Sequence, residues 1–387
     1  MLRERHLEFH PPGLVVFGNG EAARTGELVR NLGASTAFVV CDPGIAASGV
    51  LDTVRESLDA GGLAVEVFDR VTPNPATTDI EDGGAALGRL DLSRTVVVAV
   101  GGGSSLDAAK GIALHATNPG LVRRLDFRAE GLRDGLPVVA VPTTAGTGSE
   151  TNYFGVVTDP DENKKFYVGH PSVRPKASIL DPLLTVGLPP GPTAATGMDA
   201  LVHALESLMS RNGNPYAEGL ALQVIRTVHC WLPAAVSDGA DMEARSQMLL
   251  AAHVAGLAFG SGTGLGLCHA LAHSISAHTH ATHGVALTVV LPAVLGFNLP
   301  SSADKLALAA GSLGVPGSSA DDGARAAIST IENLGRYVVQ QRTVSELGAT
   351  ETMIPALVRD TLSDIVIGNT PRTPSEEEVR ELLVTTL

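Results

Sequence analysis

Cysteine, aromatic residues and basic charge are all scarce in this sequence, and each shortage excludes something. The three cysteines, Cys41, Cys230 and Cys268, are too few and too scattered for a disulfide framework or a CxxC-type metal site, which fits a reducing compartment. Aromatics are only 4% of the chain, so any core must be built mainly from Ala, Val, Leu and Ile. Lys and Arg number 27 against 41 Asp and Glu, a formal net charge of −14. Nucleic acid and anionic lipid both require a basic footprint, so neither is an expected partner, and a small molecule is. No apolar run approaches the length of a membrane span, and the opening segment, MLRERHLEFHPPG, is charged and lacks the apolar stretch of a secretory leader. The expectation is a cytoplasmic protein.

What is present is glycine, aliphatic residues and a clear alternation of patterns. At 387 residues the chain exceeds the size at which one core usually stops growing, and its 43 glycines point to many tight turns. Runs at 13–17, 36–41, 64–68, 95–100 and 137–141 read as strands, several of them apolar on both faces as buried parallel strands are. Helical spacing fills 21–32 and 49–60 between them. Beyond the Pro-rich stretch 181–190 the patterns are long and helical, at 193–210, 217–234, 242–257 and 323–344, with 301–323 reading as a surface connection. The fold class expected is an α/β N-terminal dinucleotide-binding domain with a mostly parallel sheet, residues 1–186, followed by an all-α domain, residues 187–387.

Two glycine-rich segments follow predicted strands. Val96–Lys110, VVVAVGGGSSLDAAK, reads as strand, turn and helix, with Gly101, Gly102 and Gly103 allowing close approach of a ligand and Ser104 or Ser105 capping a helix whose N-terminus favours phosphate. Alone it is equally a tight strand-to-helix turn without ligand. The segment PTTAGTGSE at 142–150 adds Thr143, Thr144 and Thr147 at the same sheet edge, where ligands of open α/β sheets bind. Asp42, directly after the second strand, stands where a carboxylate accepts from an adenosine ribose hydroxyl and repels a ribose phosphate, favouring NAD over NADP, although an Asp there also serves as a plain turn residue. Gly18–Ala23 imitates a shortened dinucleotide fingerprint and is read as a turn and helix start.

A second chemistry is suggested downstream. Asp199 and His203 are four apart on a predicted apolar helix and so share one face, an arrangement that is common on helix surfaces but that also suits a divalent metal. Five of the 12 histidines fall between 269 and 283. His269 and His273 are again four apart on a predicted helix over 265–277, His283 opens the next apolar helix, and His278 and His280 read as solvated residues of the intervening turn.

The ordered motifs TPNP (72–75), GGGSSLDAAK, PTTAGTGSE, ILDP (179–182), ATGMDALVHALE, GLGLCHALAH and HGVAL resemble the iron-containing (group III) alcohol dehydrogenases, of the dehydroquinate synthase-like superfamily, over nearly the whole chain. The resemblance implies a metal held by Asp199, His203, His269 and His283, with His273 a non-ligand near the nicotinamide. It assigns Asp42, Asn74, the loop Gly101–Ser105, Thr143, Thr144, Thr147 and Lys165 to NAD, with Lys164 the competing register for the last, and it puts the active site in a cleft between the domains.

One carboxylate and three imidazoles suit Fe²⁺, with Zn²⁺ possible. In this reading the metal is a Lewis acid for the alcohol oxygen of a small primary alcohol or aldehyde, and hydride passes to the nicotinamide. His273 is the candidate catalytic proton relay, or else a donor that orients the cofactor. Phe154 and Phe259 adjoin the motifs and are candidates for the substrate pocket. The loop 259–266 is one residue longer than the family's usual loop, and Ser274 stands where proline is frequent. The intact ligand set argues against the metal-free maleylacetate reductase branch. The alternatives are a lyase like dehydroquinate synthase or an enzyme like glycerol dehydrogenase on the same scaffold, or a non-catalytic nucleotide- or metal-binding protein. A lyase should gather Lys and Arg around the metal, whereas only Arg211, Arg226 and Arg245 lie between Asp199 and His283. A homo-oligomer, such as a dimer, is expected.

Overall fold

The computed structural model describes residues 12–162 and 164–387. The charged opening segment therefore lies outside the described residues, except for its last two. The described chain forms two compact units, 12–188 and 189–387.

The first unit is built on β1 (Leu14–Phe17), β2 (Thr36–Val40), β3 (Ala64–Phe68), β4 (Thr95–Gly101), β5 (Val138–Pro142) and β8 (Ala177–Leu180), a six-stranded sheet in the order β1-β8-β5-β4-β2-β3. Every pairing in it is parallel. Helices α1 (Thr25–Asn31), α2 (Pro43–Ala47), α3 (Val50–Ala60), α4 (Thr77–Leu87) and α5 (Gly103–His115) connect the strands. The period of two along each strand divides the side chains between two cores. Phe38, Val97, Ala99 and Ala140 pack with Ile80, Leu106 and Ile112 of α4 and α5 on one face. Ala37, Val39, Val96, Val98 and Val139 pack with Leu28, Val54 and Leu58 of α1 and α3 on the other. A sheet covered on both faces explains why β4 is buried along its whole length and reads as an uninterrupted apolar run.

After β2 the chain moves outward to β3, and after β4 it moves the other way to β5, so the switch point of the sheet lies between β2 and β4. The residues that follow these strands, Asp42, Gly101–Ser105 and Thr143–Thr147, therefore leave from one edge.

An antiparallel hairpin, β6 (Phe154–Asp159) with β7 (Lys164–Gly169), follows β5 and was not expected from the sequence. β6 alternates half-buried and buried positions, and the charged pair Lys164–Lys165 opens β7, so neither resembles the fully apolar strands of the sheet.

The second unit is helical throughout its described residues: α6 (Pro190–Met209), α7 (Pro215–Ser237), α8 (Met242–Ala258), α9 (Leu267–Thr279), α10 (His283–Ser312), α11 (Ala320–Val338), α12 (Ile354–Ser363) and α13 (Glu376–Thr385). Two expectations are corrected here. Much of 301–323 is no surface connection, because α10 runs on to Ser312 and buries Leu306, Ala309 and Ala310, with Ser302 off helical geometry two residues after Pro300. The helix expected to reach 344 ends at Val338.

Contrary to the sequence expectation, two helices among the described residues, Pro215–Ser237 and His283–Ser312, have the length and apolar composition of a membrane span, although polar residues and proline punctuate them. In α10 more than half of the apolar stretch is buried. It packs mainly against α11 and α6, as a core helix does.

Candidate functional site

In the first unit, the sheet edge brings the predicted nucleotide residues into one hydrogen-bonded group. Gly101 pairs with Pro142 across β4 and β5, and the Thr143 amide donates to the Gly101 carbonyl at 2.9 Å, so the two turns run side by side. Gly101 has φ +143°, a conformation that favours glycine, and a Cβ there would lie 2.5 Å from Ser105 Oγ. A Cβ on Gly102 would press on Thr144 at 3.1 Å, and one on Gly103 would meet Thr147 Cγ2 at 2.6 Å. Both threonines thus sit against the glycine turn.

The capping expectation is corrected. Helix α5 starts at Gly103 with Gly102 as its N-cap and no side chain capping it, so its first amides are left to face the turn. Ser105 Oγ instead donates to Asp42 Oδ2 at 3.3 Å, and Ser104 Oγ accepts from the Asn74 amide at 3.2 Å. The other oxygen of Asp42 caps α2 through the Ile45 amide at 3.1 Å, so this residue is both a turn residue and a neighbour of the glycine turn. Asn74 takes the left-handed conformation, φ +55°, and its Oδ1 accepts from Lys165 Nζ at 2.9 Å. Lys165 rather than Lys164 is therefore the lysine that joins the group. Gly18–Ala23 is a turn and a short helix start, as read, and the Asp181 carboxylate of ILDP accepts from the Gly20 and Ala22 amides at 3.1 and 3.0 Å. An uncapped helix N-terminus beside glycines and threonine hydroxyls fits a pyrophosphate.

In the second unit, α6 carries Asp199 and His203 one turn apart, and α9 and α10 carry His269, His273 and His283. Asp199 Oδ1 lies 3.4 Å from His203 Nε2, 3.4 Å from His269 Nε2 and 3.9 Å from His283 Nε2. The ligand atoms of Asp199, His203 and His269 all lie within 4.8 Å of one another, in a buried setting. Asp199 Oδ1 and His269 Nε2 are buried and make no hydrogen bond. Four donors around one centre with bonds near 2.1 Å would be separated by about 3.4 Å. Asp199, His203 and His269 therefore fit one divalent ion, and His283 Nε2 stands farther off, 3.9 Å from Asp199 Oδ1.

The electrostatics agree. Burial pushes the Asp199 carboxyl up, but the imidazoles of His203, His269 and His283 outweigh it and hold it below the usual carboxylate range. Burial pushes the His269 imidazole down, and Glu206 with Asp199 outweighs that and raises it to about 9. Two buried carboxylates thus call for positive charge at this point, which a proton or a metal cation supplies.

Glu206 was missed by the sequence reading. It lies seven residues after Asp199, on the same helix face, and is buried. Its Oε2 accepts from His269 Nδ1 at 2.6 Å and from the Gly266 amide at 2.8 Å, and its Oε1 accepts from the Cys268 amide at 2.7 Å. With the His269 proton on Nδ1, Nε2 is left to face Asp199. Asp364, just past α12, was missed too, and its Oδ2 lies 2.8 Å from His273 Nδ1. The His273 ring stacks on His283 at 5.1 Å.

His278 is not the solvated spacer expected. It belongs to the last turn of α9 and pairs with Asp360 Oδ2 at 2.7 Å, whereas His280 is exposed and takes the left-handed position that ends the helix. Phe259 packs on the His203 ring at 4.8 Å, at the start of a π-turn over Phe259–Thr263. Phe154 joins Phe127, Tyr153 and Tyr167 in an aromatic cluster of the first unit. Ser274 Oγ donates to the Leu357 carbonyl at 3.1 Å, a bond proline could not make.

Comparison with known proteins agrees with this geometry. The family model for iron-containing alcohol dehydrogenases matches residues 12–182, and the model for the C-terminal region of that family matches 193–387. A probable alcohol dehydrogenase, EutG, of Salmonella typhimurium is 37% identical over 98% of this chain and 94% of its own length. The NAD-dependent methanol dehydrogenase of Bacillus methanolicus is 33% identical over 97% of this chain and 98% of its own. The crystal structure of a 1,3-propanediol oxidoreductase superposes with a TM-score of 0.94 at 35% identity, covering 99% of this chain and 100% of that one. The chain belongs to the iron-containing alcohol dehydrogenase family. It is an oxidoreductase acting on CH–OH groups.

Proposed function

We propose that this protein interconverts a small primary alcohol and its aldehyde with NAD, using Fe²⁺, or Zn²⁺ in its place, held by Asp199, His203, His269 and His283. The observation that carries the metal assignment is Asp199 Oδ1, buried without a hydrogen bond and facing three imidazole nitrogens at 3.4–3.9 Å. The NAD-dependent relative supports the cofactor. Asp42, Asn74, Gly101–Ser105, Thr143, Thr144, Thr147 and Lys165 are the residues proposed to hold it. Residues 1–186 would be the dinucleotide-binding domain and 187–387 the metal-binding one.

When bound, the metal supplies a Lewis acid for the substrate oxygen, and NAD supplies the hydride acceptor. The chain's own residues do the rest. Glu206 fixes the His269 tautomer by accepting from Nδ1. Asp364 does the same for His273, leaving its Nε2 to take up the proton the alcohol loses as its carbinol hydride leaves, and to return it in the reverse direction. Phe259 places an apolar face against His203 and limits water there.

All three cysteines are free, which supports a reducing, cytoplasmic compartment. The assembly proposed is a homo-oligomer, a dimer at least, which light scattering of the purified protein decides. The function is tested by metal analysis, then chelation and add-back of Fe²⁺ or Zn²⁺ while NADH oxidation is followed with a panel of aldehydes. Turnover that survives complete metal removal would end the proposal.

A further inference from the structure

Lys110, at the end of GGGSSLDAAK, invites the role of a phosphate ligand, yet its side chain is fully buried. Its ammonium group has three N–H donors, and Nζ lies 2.6 Å from Ser149 Oγ, 3.0 Å from Asn152 Oδ1 and 2.7 Å from the Phe154 carbonyl. None is left for a ligand. Asp107, one turn earlier on α5, lies 3.6 Å from Nζ and serves the same segment, accepting from Ser149 Oγ at 2.5 Å and from the Val156 amide at 2.9 Å. Gly155 leaves no room for a side chain here, since a Cβ would come within 2.8 Å of Asp107.

These contacts staple α5, which starts at the glycine turn, to 149–156, which leaves the threonine turn. Burying an ammonium is costly, and the cost is visible: burial pushes Lys110 down to about 8, even with Asp107 and Glu150 opposing. A methionine would fill the same space without that cost, so a role in packing alone does not account for the charge.

We propose that Lys110 is a positioning residue for the dinucleotide, holding the glycine turn after β4 and the threonine turn after β5 at the separation at which both face one pyrophosphate. This rests on the reading of Gly101–Ser105 and Thr143–Thr147 as the dinucleotide cradle. The lysine acts from behind that cradle and touches no ligand.

The test is NADH affinity of the metal-loaded enzyme, read by nicotinamide fluorescence well below each variant's melting temperature. For Lys110→Met the Kd for NADH should rise about tenfold, equivalent to about 1.4 kcal/mol. Metal content, and the KM for the alcohol at saturating NAD, should stay at the wild-type values. A Lys110→Met protein that melts earlier but binds NADH with the wild-type Kd would make Lys110 a core strut and overturn the inference. Where Lys110→Met does not fold, Asn152→Ala removes one of the three acceptors and should raise the Kd about fivefold. An unchanged Kd in that variant overturns the inference equally. The cradle itself is tested by Gly103→Val, whose side chain would collide with Thr147. Wild-type binding there rejects the cradle reading on its own, and the inference with it, whatever the Lys110 variants do.

Discussion

His273 Nδ1 lies 2.8 Å from the carboxylate of Asp364, a residue 91 positions further along the chain, and both are at least nine-tenths buried. A carboxylate that accepts from Nδ1–H fixes which ring nitrogen carries the proton, and so leaves Nε2 able to accept one. Asp364→Asn keeps the shape but presents an amide that can turn its NH₂ toward the ring and favour the opposite tautomer. The kcat should fall about 10–100-fold, with metal content unchanged. His273→Gln should lose at least as much and flatten the pH profile of kcat. Wild-type rate and profile in His273→Gln would remove the relay while leaving the metal assignment standing.

Glu206 bears the same relation to a proposed ligand that Asp364 bears to the proposed relay. Removing such a partner typically weakens metal affinity about 10–100-fold. Glu206→Gln should therefore lose iron to a graded chelator at concentrations that leave the wild type loaded, while Asp199→Asn should fail to retain it at all. Equal retention in Glu206→Gln and the wild type would reduce Glu206 to an anchor for the Gly266–His269 turn.

Metal uptake should also release a proton. In the metal-free chain the two carboxylates raise His269 to about 9, so its imidazole is charged at neutral pH. A metal can take Nε2 only once that proton has left. Below about pH 9 the metal Kd should weaken as pH falls, about tenfold per pH unit for one proton displaced. Calorimetric titrations in two buffers of different ionisation enthalpy count the proton directly. A Kd that does not change between pH 6 and 8 would mean that His269 is neutral before the metal arrives.

These partners show what the sequence could and could not disclose. The strands of the parallel sheet were legible because both faces are covered and the apolar runs are unbroken, as in Val96–Val100. Asp199 and His203 were legible because helical spacing places them on one face. Glu206 stands on that face as well, but its meaning depends on His269, 63 residues away, and no local pattern carries that distance. Asp360 and Asp364 follow the same rule, since α9 and α12 meet only in the folded chain. His278 looked like a turn residue because the helix outlasts its apolar pattern by a turn. The cap expected from Ser104 or Ser105 failed for a different reason. With Gly102 at the N-cap, both hydroxyls are spent on Asn74 and Asp42.

The buried ammonium of Lys110 gives a pH dependence whose sign is opposite to that of a favourable ion pair. Its pKa is lowered from 10.5 to about 8 in the folded chain, whereas the unfolded chain has an ordinary lysine there. Below about pH 8 both states hold the proton, and the cost of burying the charge is fully present. Between about pH 8 and 10.5 the unfolded state binds more proton than the folded one, so this group's contribution to stability rises with pH, by at most about 1.4 kcal/mol per unit. Lys110→Met lacks the group and the slope. Urea denaturation of both proteins at half-unit steps from pH 7.5 to 9.5 should show the wild type gaining on the variant once pH 8 is passed. If their difference stays level across that range, the ammonium is not held low, and the desolvation that marks Lys110 as more than packing is absent.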